Sequence, residues 1–183
     1  MFNSILVIKS SETNCRNRVT DSVVRNSLQE HLDFKKSSLY VRYEKLLSSL
    51  VQGEIITRHA IVSEFSPKCA SLGKGSPVTG TAIYLSITPE WDAAWAKWVS
   101  IVQHVPGFMG IAGGYMVGPV DGHEKAFIAL VGWENVEVHD AYHHTQHFRE
   151  RRRILLDPCK GFNYYGHIAF GNSNTEGEGR SKL

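Results

Sequence analysis

Three cysteines in 183 residues, Cys15, Cys69 and Cys159, stand far apart and never as a CxxC pair. That scarcity argues against both a disulfide framework and a zinc site and fits a reducing or neutral compartment. No stretch approaches the roughly 20 apolar residues of a membrane helix. Residues 1–8 are apolar over too short a run, without a basic start, to be expected as a signal peptide. Nor is charge of one sign in excess: 20 Lys and Arg against 18 Asp and Glu leave a formal net charge of +2. Neither nucleic acid nor membrane is therefore expected as a partner. The basic run from Arg149 to Arg153 is broken by Glu150 and reads as a solvated helix surface. Gly110-Ile111-Ala112-Gly113-Gly114 lacks dinucleotide spacing, and P-loop, Ser-centred elbow and paired-Cys motifs are missing, so no cofactor is expected. What remains is a composition of 42% hydrophobic and 21% charged residues, ordinary for a globular chain with one compact core.

The end of the chain is distinctive. From Asn172 to Arg180 no apolar residue offsets the entropy of ordering, so an exposed tail is expected. It presents Ser181-Lys182-Leu183, the C-terminal pattern read by the peroxisomal import receptor. The expected localisation is the peroxisome.

Leu28 to Val62 aligns without a gap on Val136 to Phe170 at an offset of 108. His31 falls on His139, Ser37 on Thr145, Gly53 on Gly161 and His59 on His167, with matched apolar positions between them. An internal duplication is the expected origin. The second copy, 81–171, reads as strand, helix, strand, strand, helix, strand. Thr81–Ile87 is β-branched and aromatic, Trp91, Trp95, Trp98 and Val102 recur at helical spacing, and Asp121-Gly122 marks a hairpin. One helix is expected from Glu134 to Leu156 and a last strand over Phe162–Phe170. This order is the split βαβ, ferredoxin-like plan, an α+β fold with an antiparallel sheet and helices on one face. The first copy, 1–65, reads as a partial strand-helix-strand unit, with Ile5–Ile8 in the place of its third strand. A linker over 66–80, rich in Ser, Gly and Pro, joins the two. Half a sheet leaves an apolar face and an open edge, so a partner chain, an unusual packing or an incomplete gene model is expected, with a homodimer as the expected assembly.

The run Gly132-Trp133-Glu134-Asn135-Val136-Glu137-Val138-His139-Asp140-Ala141-Tyr142, continuing to Phe148, resembles the strand-to-helix signature of the dimeric α+β barrel superfamily. Within it, the chain is similar to antibiotic-biosynthesis monooxygenase-like domains, of the tandem fungal type with a shortened first repeat. The resemblance implies a pocket between sheet and helices, in a family that includes oxygenases of aromatic metabolites using no metal or flavin, haem-degrading enzymes, decarboxylases, cyclases and members without known chemistry. Many members carry His where this chain has Tyr142, and the haem-ligand position of one branch holds Arg152, which implies no haem here.

On the expected helix, His139 flanks an apolar stripe beside Tyr142, and His31 repeats the placement beside Phe34. A histidine there suits a general base or acid on a phenol or enol, or a structural bridge from helix to loop. His143 and His147 have the i, i+4 spacing of metal ligands without a third, and are expected to face solvent, leaving no metal site. His167 lies in the expected last strand, where alternation puts it on the same side as Asn163 and Tyr165, lining the pocket or packing on the sheet face. Trp95 and Trp98 are core residues first; the resemblance also makes them a pocket roof, with Tyr84, Ser86 and Tyr115 as polar contacts for a flat hydrophobic metabolite. The expectation is a small enzyme of specialised metabolism that oxygenates, cyclises, isomerises or decarboxylates; the alternative is a non-catalytic ligand-binding or dimerisation module.

Overall fold

The computed structural model describes residues 4–11, 20–25, 27–50, 55–64 and 76–168. The tail with Ser181, Lys182 and Leu183, and residues 66–75 of the expected linker, lie outside the described residues. The first unit runs β1 (Ser4–Ser11), β2 (Thr20–Arg25), α1 (Leu28–Lys35), α2 (Ser38–Leu50) and β3 (Ile55–Glu64). The second runs β4 (Val78–Leu85), α3 (Trp91–Val102), β5 (Phe108–Met116), β6 (Ala126–Trp133), α4 (Val136–His143), α5 (Gln146–Arg151), α6 (Arg153–Leu156) and β7 (Gly161–Ile168).

Among the described residues, the strands form one seven-stranded antiparallel sheet in the order β2-β1-β3-β5-β6-β4-β7. The stretch β5-β6-β4-β7 is the ferredoxin-like order. β3 pairs with β5, Ile61 opposite Tyr115 and Val62 opposite Gly114, so the first unit's sheet continues into the second instead of ending at that edge. The approach is close enough that a Cβ on Gly114 would lie 1.7 Å from the Ile61 carbonyl oxygen, a place only glycine fills.

Two readings of the first unit change. Ser4–Ser11 lies between β3 and β2, the opening-strand position of a ferredoxin-like unit, and the third-strand position belongs to β2. Val7 faces His59 and Val23, while Gly80 faces His167 and Val131. Both partners differ by the offset of 108, so Val7 and Gly80 hold the same place. β4 also begins at Val78, inside the stretch read as linker.

Helix boundaries follow their caps. Ser27 and Asn135 accept from the backbone N–H groups of Glu30 and Val138, which satisfies one orphan donor at the start of α1 and of α4. The single helix expected over 134–156 is instead three. Thr145 is extended and caps α5 through the Phe148 N–H at 3.1 Å, and its own hydroxyl donates to the Tyr142 carbonyl at 2.7 Å. Ser37 makes the same two bonds, to Phe34 and from Tyr40, between α1 and α2. The hairpin between β5 and β6 turns at Asp121 and Gly122, with φ of 48° and 82°, as the left-handed turn requires.

Alternation along β5 and β6 separates two cores. Ile111, Phe127, Ala129 and Trp133 face the helices and pack with Trp91, Trp95, Trp98, Tyr142 and Leu155. Ala112, Met116, Ile128 and Leu130 face the other way, with Ala60, Val62, Ile83 and Leu85. Each buried indole removes about 150–250 Å² from water, worth up to about 4–6 kcal/mol. The Trp91-Trp95-Trp98 row thus fixes α3 on the sheet. Among the described residues no helix is long and apolar enough to cross a membrane.

Candidate functional site

A cavity of about 320 Å³ opens between β4 and β6 on one side and α3 to α6 on the other. Thr81, Tyr84, Ala129 and Val131 supply its floor, and Trp98, Tyr142, Phe148 and Leu155 its roof. Its walls are largely apolar. Its polar lining includes Thr81, Tyr84 and Tyr142, with His139 and His143 from α4 and Arg152, an exposed cation beside α6.

His139 is 5% exposed and tightly placed. Its ring stacks on Trp133 at 4.7 Å and 18° and meets His143 edge-on at 4.5 Å. On the strand side a Cβ at Gly80 would stand 2.5 Å from His139 Cε1, so the imidazole occupies the space that glycine leaves. His139 Nδ1 and His167 Nε2 share a hydrogen bond of 2.7 Å, and the Asp140 carboxylate lies 3.9 Å from the same His167 nitrogen. His139, Asp140 and His167 bring one ligand atom each within 4.8 Å of one another, an arrangement able to hold a metal ion.

Burial, aided by the neighbouring His143 and His167, pushes the His139 pKa down to about 3. It is neutral at physiological pH, with one nitrogen carrying the proton and the other a lone pair. Burial also lowers the His143 pKa, against the pull of Asp140, and pushes the Tyr142 phenol up to about 12. Tyr142 stays protonated and shares a hydrogen bond of 3.2 Å with His147 Nδ1.

Of the residues expected at the site, Tyr84, Trp98, His139 and Tyr142 line the cavity, and His167 reaches it through His139. Four do not. Trp95 packs on Phe127 beneath α3. The Tyr115 hydroxyl donates to Asp92 and its ring rests on Phe127. Ser86, at φ 48°, is bonded to His123 Nδ1 at 2.7 Å. His31 is buried in the first unit, 5.0 Å from the His59 ring. His143 and His147 are partly buried, not solvent-facing: His143 lies one turn on from His139 in α4 and meets its ring at 4.5 Å, and His147, beyond the break at Thr145, shares a hydrogen bond with the Tyr142 hydroxyl. Sequence spacing assigns neither His143, which lines the cavity, nor Asp140, 3.9 Å from His167 Nε2, to the site.

No family model and no curated protein matches this chain. Among solved structures it is similar to an anthrone oxidase-like protein, at 12% identity and a TM-score of 0.61, over 93% of this chain and 80% of that one. It is also similar to a candidate monooxygenase of Fusobacterium nucleatum subsp. nucleatum (11%, TM-score 0.58, 93% and 77%) and to one of Lactobacillus acidophilus (12%, TM-score 0.55, 91% and 77%). These likenesses and the strand order show the fold, which is α+β and ferredoxin-like. At such identities the chemistry is left to the cavity's own residues.

Proposed function

We propose that this chain is a small peroxisomal enzyme of specialised metabolism. It takes a hydrophobic aromatic or polyketide-like metabolite into the cavity and removes a proton from it without a bound cofactor. The observation that carries this reading is the 2.7 Å hydrogen bond from cavity-wall His139 to His167, which is 22% exposed. With the proton on His139 Nδ1, that ring accepts the substrate's proton on Nε2 while passing its own to His167. The buried ring never has to persist as an imidazolium, the form its surroundings disfavour.

The resulting phenolate or enolate can be oxygenated, cyclised, isomerised or decarboxylated. The anthrone oxidase-like and monooxygenase likenesses favour oxygenation. For a methylene beside an aromatic ketone, dioxygen is the oxidant and the step balances as CH2 + O2 giving C=O + H2O. Anthrone is the probe. With the protein it should consume one O2 per molecule, and His139→Ala should slow uptake by about 10²-fold or more.

Anthrone that binds without oxygen uptake would favour the second reading, a non-catalytic ligand-binding or dimerisation module. That reading draws on Leu39, Val41 and Leu46 of α2, which are 61%, 66% and 60% exposed and available to a second copy. Localisation rests on Ser181-Lys182-Leu183 and the import receptor. Deleting those three residues should leave a fluorescent fusion in the cytosol.

A further inference from the structure

We propose that His139, His167 and Asp140 form a site for one borderline divalent cation of the Zn2+, Co2+ or Ni2+ kind, between α4 and β7. The inference is separate from the enzymatic reading, since it requires neither a substrate nor turnover. Two imidazole nitrogens and a carboxylate oxygen converge within 4.8 Å from two different elements, α4 and β7. Mixed nitrogen and oxygen donors suit these metals.

The geometry needs little adjustment. Zinc binds imidazole nitrogen at about 2.0–2.1 Å, so two ligands at a tetrahedral angle sit about 3.3 Å apart. The His139 and His167 nitrogens start 2.7 Å apart, joined by one proton that the cation would displace. His139 is fixed by the Trp133 stack, whereas His167 lies one residue from the end of β7 and Asp140 is 56% exposed, so those two can move. Three protein ligands leave coordination positions for water. The spacing of His143 and His147 offers no rival of this quality. Thr145 interrupts their helix, and His147 Nδ1 is engaged by Tyr142.

One consequence links the site to the proton path. The cation and the shared proton compete for the same pair of nitrogens, so metal loading and proton transfer exclude each other.

The test titrates the chelator-stripped full chain with Co2+, followed by visible absorption, and with Zn2+, followed by calorimetry, near neutral pH. One equivalent should bind. His167→Ala and Asp140→Asn, both at partly exposed positions, should each weaken binding by about tenfold or more. Zn2+ should raise the unfolding midpoint of the parent chain but not of His167→Ala. His144→Ala/His147→Ala should bind as the parent does. No saturable binding, or binding unchanged in His167→Ala, overturns the proposal. Binding lost in His144→Ala/His147→Ala also overturns it, by assigning the cation to those two histidines.

Discussion

His139 Nδ1 and His167 Nε2 lie 2.7 Å apart, which ties the wall of a buried cavity to a partly exposed residue on β7. The same two positions in the first unit, His31 and His59, bring their rings to 5.0 Å, against 4.9 Å for His139 and His167. The pair is thus a property of the strand-helix frame, while the cavity beside it belongs to the second unit.

Replacing His167 by Phe removes the partner of a buried nitrogen. An unsatisfied buried polar group costs about 1–3 kcal/mol. His167→Phe should therefore lower stability by that amount in urea unfolding, although Phe is the more apolar side chain. Unchanged stability would mean that the hydrogen bond is not formed in solution.

Gly80 sets the position of His139. A methyl group there would sit 2.5 Å from His139 Cε1, and the ring is held against Trp133 on its face. Gly80→Ala should cost about 1–3 kcal/mol through overpacking and shift the His139 resonances. Gly161→Ala, where a Cβ meets nothing within 4 Å, is the control and should leave both unchanged.

Much of this frame can be read from the residues, because its determinants are local. The Trp91, Trp95 and Trp98 spacing marks α3, and the left-handed Asp121-Gly122 pair marks the hairpin. β2 is hidden because Thr20-Asp21-Ser22 is polar and a strand-strand connection looks like a loop without its partner, β1. The break at Thr145 has a trace in the repeat, where Ser37 and Thr145 are hydroxyl residues at the same place. Nothing local links His139 to His167, since 28 residues separate them and only the pairing of Gly80 with His167 brings them together.

Alkaline pH tests the burial of Tyr142. Its phenol is raised from 10.0 to about 12, so between those values the folded chain keeps a proton that the unfolded chain loses. The stability this provides is whole below pH 10 and is lost as pH rises through about 12. The stability difference between the parent chain and Tyr142→Phe should be constant up to pH 10 and shrink above it. A difference that stays flat to pH 12 would place the phenol in water.

Proton abstraction by His139 is the central claim, and it can be followed without oxygen chemistry. Anthrone is incubated with the protein anaerobically in D2O, and exchange of its methylene hydrogens is followed by NMR. The parent chain should accelerate exchange above the buffer rate, and His139→Ala should lose about 10²–10⁴-fold of that acceleration. Equal exchange rates for the parent, His139→Ala and buffer alone would contradict the account.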